Sequence, residues 1–256
     1  MIKSSILLLT SLFLLTSCSP FGDNKNVNNS ISNGLTPKEL YKLSELKLNA
    51  GSVDQALEQL KIIIAAYPGS KYAIQARLDI SYNLLKQKKY NLALAQVDKF
   101  IEKYPALNST PYAYYLRGAI EEDRSSSILD NIVTDSAQRD VQSVKDAYSY
   151  YILLIDRFPS SKYSDEAKTK LTKLKDTLAR HEFYVGLYYT NNQAYIASIN
   201  RCKYIIENYP NSPSIPDALS LMSYNYDEIN ASILADDLRG ILKSNFPSYS
   251  PSYSLN

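Results

Sequence analysis

The sequence predicts an all-α protein, a superhelix of about five helix-turn-helix repeats, and three observations favour this fold. First, an aromatic residue followed by proline recurs at the ends of apolar runs, at Tyr67-Pro68, Tyr104-Pro105, Phe158-Pro159, Tyr209-Pro210 and Phe246-Pro247. Second, a small residue stands eleven positions before each of these aromatic residues, at Ala56, Ala93, Ala147, Ser198 and Ala235. Third, no long segment alternates between apolar and polar residues with the period of a β-strand.

Each aromatic–proline pair predicts the end of one helical hairpin and the start of the next. Proline has no N–H to continue a helix, and it disfavours helical geometry in the residue before it. A second set of small residues stands thirteen positions after the first four prolines, at Ser81, Gly118, Thr172 and Ser223. Because small residues let two helices approach closely, we expect both sets to lie where paired helices cross.

The spacing of the prolines relates the repeat to the tetratricopeptide type. Successive prolines are 37, 54, 51 and 37 residues apart, and a tetratricopeptide unit has about 34 residues. The segments "AGSVDQALEQLKIIIAAYP" and "LLKQKKYNLALAQVDKFIEKYP" resemble its consensus. The two longer gaps predict one unit plus an insertion: a polar-ended loop over residues 121–140 in the third unit, and a lengthened first helix in the fourth.

The N-terminus reads as a targeting segment. In "MIKSSILLLTSLFLLTSC" the apolar run from Ile6 to Leu15 is too short to span a bilayer and has the length of a signal-peptide core. Leu15-Thr16-Ser17-Cys18 resembles the bacterial lipobox, which implies a diacylglycerol on the Cys18 thiol, cleavage before Cys18 and acylation of the new amine. The alternative is an ordinary secretory signal with an accidental cysteine.

These features divide the chain into six parts. They are a signal peptide (1–17), a lipidated cysteine with a flexible linker rich in Asn, Ser and Gly (18–35), N-terminal repeats (36–120), an insertion loop (121–140), C-terminal repeats (141–247) and a tail (248–256). The mature protein is therefore predicted to be a folded body held at a membrane by its lipid.

The composition and the motifs argue against nucleic-acid binding, against a bound cofactor and against catalytic activity. The 28 basic and 26 acidic side chains leave no excess charge for holding a polyanion. Cys202, the one cysteine besides Cys18, falls at a core position, and His181 has no metal-ligand or nucleophile motif beside it. The acidic pairs Glu121-Glu122 and Asp236-Asp237 are expected on solvated faces. The sequence predicts a protein that binds partners and is not an enzyme.

Several longer stretches resemble the BamD family of outer-membrane lipoproteins. They are "YPGSKYAIQARLD", "YLRG", "RDVQSVKDAY", "LKDTLARHEFYVGLYYTNNQAYIASINR" and "NYPNSPSIPDALSLM". The resemblance covers residues 36–247 and includes the insertion and the long helix at the same places. The centre of the insertion, "LDNIVTD", departs from the family, and the tail "SYSPSYSLN" is peculiar to this chain.

The resemblance implies a lipid-anchored component of the β-barrel assembly machinery on the periplasmic face of the outer membrane. Its N-terminal repeats would hold unfolded outer-membrane proteins, and its C-terminal repeats would dock on the periplasmic domains of BamA, alongside accessory Bam lipoproteins. Tyr41, Tyr82 and Tyr115 would suit a groove for aromatic-rich segments, and packing within the hairpins is the alternative role of each.

Arg201 is the candidate contact with BamA, because the family carries an Asn-Arg pair at this point of the C-terminal repeats. The alternative for Arg201 is a solvated side chain or a local ion pair. For the whole chain, the rival function is a periplasmic tetratricopeptide scaffold for cell-wall or peptidoglycan-associated proteins.

Overall fold

The computed structural model of the protein describes residues 32–127 and 141–255. Within these ranges the chain forms ten α-helices and no β-strand. The helices are α1 (Pro37–Asn49), α2 (Val53–Ala66), α3 (Lys71–Lys86), α4 (Tyr90–Lys103), α5 (Thr110–Ser127), α6 (Gln142–Arg157), α7 (Lys162–Asn191), α8 (Tyr195–Asn208), α9 (Ile215–Glu228) and α10 (Ser232–Asn245). Consecutive helices pair into five hairpins, and the predicted all-α repeat fold is confirmed.

The turns inside four hairpins share one backbone geometry. A single residue with positive φ follows the first helix, at Gly51, Lys88, Gln193 and Asn230. The next N–H then bonds back to the carbonyl five residues earlier, as from Ser52 to Lys47 and from Ala194 to Tyr189, both at 2.9 Å. This is the Schellman ending of a helix, in which glycine is the residue without steric cost.

The aromatic–proline pairs end the second helix of every hairpin, as predicted. The five aromatic residues cap their helices with φ between −130° and −136°, outside the helical region. Each still donates its N–H to the carbonyl four residues earlier; Tyr67 donates to Ile63 at 2.9 Å and Phe246 to Leu242 at 2.8 Å. The following proline cannot extend the ladder, so the chain turns into the next hairpin.

The small residues lie at the helix crossings with one exception. The five residues eleven positions before the aromatics have no exposed surface. On the first helices, Ser81 donates its hydroxyl to the Ala93 carbonyl at 2.9 Å, and Gly118 is buried. Thr172 is exposed, so its predicted place at a crossing is wrong. The longer α7 crosses α8 further along, where a Cβ on Gly186 would lie 3.5 Å from the Ser198 Oγ.

The two insertions differ in kind. The fourth unit contains the predicted long first helix, since α7 runs for 30 residues. The third unit departs from the prediction, because α5 continues to Ser127 and residues 121–127 are helical rather than part of a loop. The rest of the predicted loop lies outside the described residues, as do the signal peptide and Cys18.

The odd-numbered helices form the inner row of the superhelix. α1 contacts α3, α3 contacts α5, α5 contacts α7 and α7 contacts α9, in addition to the contacts within and between consecutive hairpins. In stacked helical hairpins this row lines the concave surface, where such proteins bind their partners. Among the described residues no helix combines the length and apolarity needed to cross a membrane.

Candidate binding groove and docking surface

Six tyrosines follow the inner row across the first four hairpins. This tyrosine ladder consists of Tyr41 on α1, Tyr72 and Tyr82 on α3, Tyr112 and Tyr115 on α5, and Tyr163 on α7. Ring centroids lie 5.5 Å apart for Tyr41 and Tyr72, 5.2 Å for Tyr112 and Tyr163, and 5.6 Å for Tyr115 and Tyr163. The contacting rings form two groups along the first helices, Tyr41 with Tyr72 and Tyr163 with Tyr112 and Tyr115.

Carboxylates fix the phenols at the N-terminal end of the ladder. The Tyr41 hydroxyl donates to Asp79 Oδ2 at 2.7 Å, and the Gln75 amide donates to Asp79 Oδ1 at 2.8 Å. Burial raises the pKa of Asp79, while these two hydrogen bonds lower it, and burial is the larger effect. Burial and the neighbouring Asp79 both raise the pKa of Tyr41. Tyr41 is therefore a neutral hydrogen-bond donor at physiological pH.

The pKa values of two tyrosines in the middle of the ladder are raised in the same way. Burial is the main effect that raises the pKa of Tyr112 to about 12, and nearby Tyr163, Tyr82 and Asp79 contribute to the rise. Burial and a hydrogen bond to Glu166 raise the pKa of Tyr115 to about 12. Tyr112 and Tyr115 therefore stay uncharged near neutral pH, and each combines an apolar ring face with a hydroxyl donor.

A polar cluster lies beside the C-terminal end of the ladder. Glu122 Oε2 accepts from the Tyr151 hydroxyl at 2.8 Å and from Lys170 Nζ at 2.7 Å. Its neighbour Glu121 is 2% exposed and pairs with Arg117 at 2.9 Å. The expectation of a solvated Glu121-Glu122 pair is wrong, because α5 stays helical here and packs both side chains towards other residues.

The three predicted groove tyrosines share this face, yet their environments differ. Tyr82 is 41% exposed and has Lys86 Nζ 5.3 Å from its ring centroid. Tyr41 and Tyr115 are half-buried and contact other rings, so they also pack the hairpins. Tyr82 is the ladder residue most open to a partner.

Sequence reasoning missed Tyr72, Tyr112 and Tyr163. Tyr72 and Tyr163 had a readable signal, because both end a Ser-Lys-Tyr motif just after an aromatic–proline corner. In both motifs the lysine covers the ring of the following tyrosine, at 5.3 Å for Lys71 and 4.9 Å for Lys162. The repetition of this motif places equivalent tyrosines on α3 and α7.

Arg201 lies on α8 and forms the local ion pair considered from the sequence. Its Nη1 lies 2.8 Å from Oε2 of Glu182 on α7, and Glu182 is 8% exposed. The hydrogen bond from Arg201 to Glu182 is the main cause that raises the arginine pKa, and Tyr189 also contributes. Arg201 nevertheless remains 43% exposed, so the edge of its guanidinium faces solvent.

Apolar surface is exposed on the same two helices. Tyr188 on α7 is 64% exposed, and Ile196 on α8 is 59% exposed. Tyr188 contacts Tyr189, and an open hollow of about 520 Å³ is lined by residues of α7 that include His181, Tyr184 and Tyr188. We call Tyr188, Ile196 and Arg201 the α7/α8 edge.

The described residues contain neither an exposed thiol nor a metal-binding cluster. Cys202 is fully buried, as predicted, and burial raises the pKa of its thiol to about 12. A thiol in this state is not a nucleophile. Within the described ranges no three His, Cys, Asp or Glu side chains are grouped so as to hold a metal ion.

These features define a class of protein: a superhelix of tetratricopeptide-type hairpins with tyrosines along its inner row. The chain belongs to the YfiO family of outer membrane lipoproteins, whose profile matches residues 34–238. The resemblance to the BamD family is thereby confirmed.

Curated relatives are similar over most of their length. The chain is 30% identical to outer membrane protein assembly factor BamD of Xylella fastidiosa strain Temecula1, over 94% of this chain and 81% of the relative. It is 32% identical to the protein of that name from Neisseria gonorrhoeae, over 94% of this chain and 91% of the relative. For Pasteurella multocida the identity is 28%, over 95% of this chain and 91% of the relative.

Proposed function

We propose that this chain is an outer-membrane protein assembly factor that binds unfolded outer-membrane proteins along the tyrosine ladder and acts without catalysis. The observation that carries this proposal is the series of tyrosines on α1, α3, α5 and α7 of the inner row. Helical backbones have satisfied their own hydrogen bonds, so this surface recognises a guest through side chains. Tyrosine rings with hydroxyl donors suit an extended segment that alternates aromatic and polar residues.

Photo-crosslinking tests the groove. A benzoylphenylalanine at Tyr82 should crosslink an unfolded outer-membrane protein, whereas one at Leu92 should not. Leu92 is a matched control because it is 57% exposed on α4, an even-numbered helix outside the inner row. Equal crosslinking from both positions would mean that the ladder has no preference for such clients.

The second part of the proposal is docking on BamA through the α7/α8 edge. Exposed arginine and large apolar side chains on the same two helices are residue types enriched in protein interfaces. The ion pair with Glu182 fixes one side of Arg201 and so reduces the side-chain entropy lost on binding a carboxylate. Accessory Bam lipoproteins would assemble on the same complex.

The third part is anchoring at the periplasmic face of the outer membrane through a lipid on Cys18. Purification from detergent extracts, followed by mass spectrometry, tests docking and location together. The proposal expects a β-barrel partner of the BamA type. Recovery of cell-wall enzymes without such a partner would contradict it and favour the scaffold alternative.

A further inference from the structure

The C-terminal tail, residues 248–255, lies across the inner row between α7 and α9. Tyr249 donates its hydroxyl to Asp217 Oδ1 at 2.5 Å, and Ser252 donates its hydroxyl to Asp217 Oδ2 at 2.7 Å. The Ser252 N–H donates to Asp217 Oδ1 at 3.4 Å. Asp217 is thus the main polar anchor of the tail.

Aromatic packing fixes the next residues of the tail. The Tyr253 ring packs edge-on against Phe183 of α7 with centroids 5.2 Å apart, and its hydroxyl donates to Ser220 at 3.0 Å. Leu255 packs against the same apolar cluster. Tyr253 and Leu255 are half-buried, while Ser254 between them is exposed, which is the alternation of an extended segment.

The tail occupies the same face of the superhelix as the tyrosine ladder. The first helices can be aligned on the small residue at each crossing. The residue six positions earlier is then Gln75 on α3, Tyr112 on α5, Arg180 on α7 and Asp217 on α9. Asp217 is therefore the positional equivalent of the ladder residue Tyr112. The tail lies where a guest bound along the ladder would reach if it continued towards the C-terminal hairpins.

Two further observations concern the tail and its surroundings. The family profile ends at residue 238, inside α10, so the tail and the end of α10 both lie outside the matched part of the chain. A hollow of about 190 Å³ adjoins Ser252 and is lined by Arg180, Phe183 and Asp217 among others. Open space therefore remains beside the tail on this face.

We propose that the face between α7 and α9 is a second peptide-binding site, for extended polypeptide segments with aromatic and hydroxyl side chains, and that the C-terminal tail fills this site in cis. Asp217 receives the hydroxyl and N–H donors of the guest, Ser220 receives a phenol, and Phe183 receives an aromatic ring. A guest segment displaces the tail from these contacts. The site is separate from the exposed ladder residue Tyr82.

The test compares the full chain with a chain truncated after Pro247. The probe is a fluorescent peptide with the sequence of residues 248–256, and the measurement is fluorescence anisotropy. We expect saturable binding to the truncated chain. Binding to the full chain should be at least about tenfold weaker, because a short tether holds the competing tail at a millimolar effective concentration. A scrambled peptide should bind neither chain.

Asp217→Asn in the truncated chain should weaken peptide binding by about tenfold or more, since a charged acceptor is lost. Asp237→Asn is the matched control, because Asp237 is exposed on α10 and away from the tail contacts. Tyr82→Ala should leave peptide binding unchanged, which separates this site from the ladder. If the truncated chain does not fold, Tyr253→Ala in the full chain should bind the peptide more tightly than the wild type.

Three results would overturn the proposal: no peptide binding to the truncated chain, equal binding to full and truncated chains, or equal binding of the scrambled peptide. In the Tyr253→Ala version, the absence of any gain in affinity would do the same. Loss of client crosslinking at Tyr82 would leave this site untouched, so the two proposals fail separately.

Discussion

Gly118 offers the sharpest test of the packing between paired helices. A Cβ added there would lie 2.6 Å from Cε1, 2.8 Å from Cδ1 and 2.9 Å from Cζ of Tyr151. Tyr151 has no exposed surface, and its hydroxyl is held by Glu122 at 2.8 Å. The ring has no free space to move into. Gly118→Ala must therefore push the ring against its neighbours or shift the whole of α6.

The expected cost follows from two opposing effects. Overpacking a core typically costs about 1–3 kcal/mol, whereas replacing glycine by alanine inside a helix stabilises it by about 1 kcal/mol. The free energy of unfolding should therefore fall by up to about 2 kcal/mol, which lowers Tm by up to about 8 °C for a chain of this size. Circular dichroism melting measures this change.

Gly240→Ala is the control with the opposite sign. Gly240 lies inside α10, and a Cβ there would meet no atom within 4 Å. The helix-propensity gain then acts alone, so Tm should rise by about 2–4 °C. If Gly118→Ala raises Tm as Gly240→Ala does, the close approach of Gly118 to Tyr151 is refuted.

Three further predictions concern a turn, an interface and the anchor. Gln193→Gly should raise Tm by about 2–4 °C, because Gln193 has φ 58° and left-handed geometry costs a non-glycine residue roughly 1 kcal/mol. An unchanged or lower Tm would argue against strain in this turn. Arg201→Glu should weaken co-purification of BamA at matched protein levels. Adding Glu182→Arg should restore stability but not the recovery of BamA. Full recovery of BamA with Arg201→Glu alone would remove Arg201 from the interface. Cys18→Ser should abolish palmitate labelling, and persistent label would disprove lipidation at Cys18.

The repeat could be predicted from the sequence because it depends on local chemistry. Proline after an aromatic residue ends a helix wherever it occurs, and a residue such as Ala93 is small because the neighbouring backbone lies close. Both signals depend only on spacing within one unit. They were sufficient to predict all five hairpins. They also predicted the helix crossing in every hairpin except the fourth.

The errors occur where that spacing is interrupted. Counting from Pro159 gave Thr172, whereas the crossing is at Gly186, because the extra length of α7 precedes the crossing. Glu121 was expected in a loop because polar residues follow it, but α5 continues and buries it against Arg117. An insertion changes the register, and spacing alone does not show on which side of the crossing the added residues lie.

The binding surface was predictable only in part, because it depends on which residues different hairpins bring together. Tyr41, Tyr82 and Tyr115 could be assigned to first helices, and the structure places them on one face. The contacts of Tyr163 with Tyr112 and Tyr115 arise from the stacking of α5 on α7, which no pattern within one repeat reveals. The pairing of Arg201 with Glu182 likewise joins two helices.

Tyr67, besides closing the first hairpin, also holds the chain that enters it. Its hydroxyl lies 3.2 Å from the Ser32 Oγ and 2.7 Å from the Leu35 carbonyl, and Ser32 is buried. With a lipid on Cys18, only residues 19–31 would separate the membrane anchor from this fixed point. A chain of that length reaches at most about 50 Å even when fully extended. The first hairpin would then work within a fixed radius of the bilayer, and lengthening residues 19–31 would widen that radius without altering any contact in the repeats.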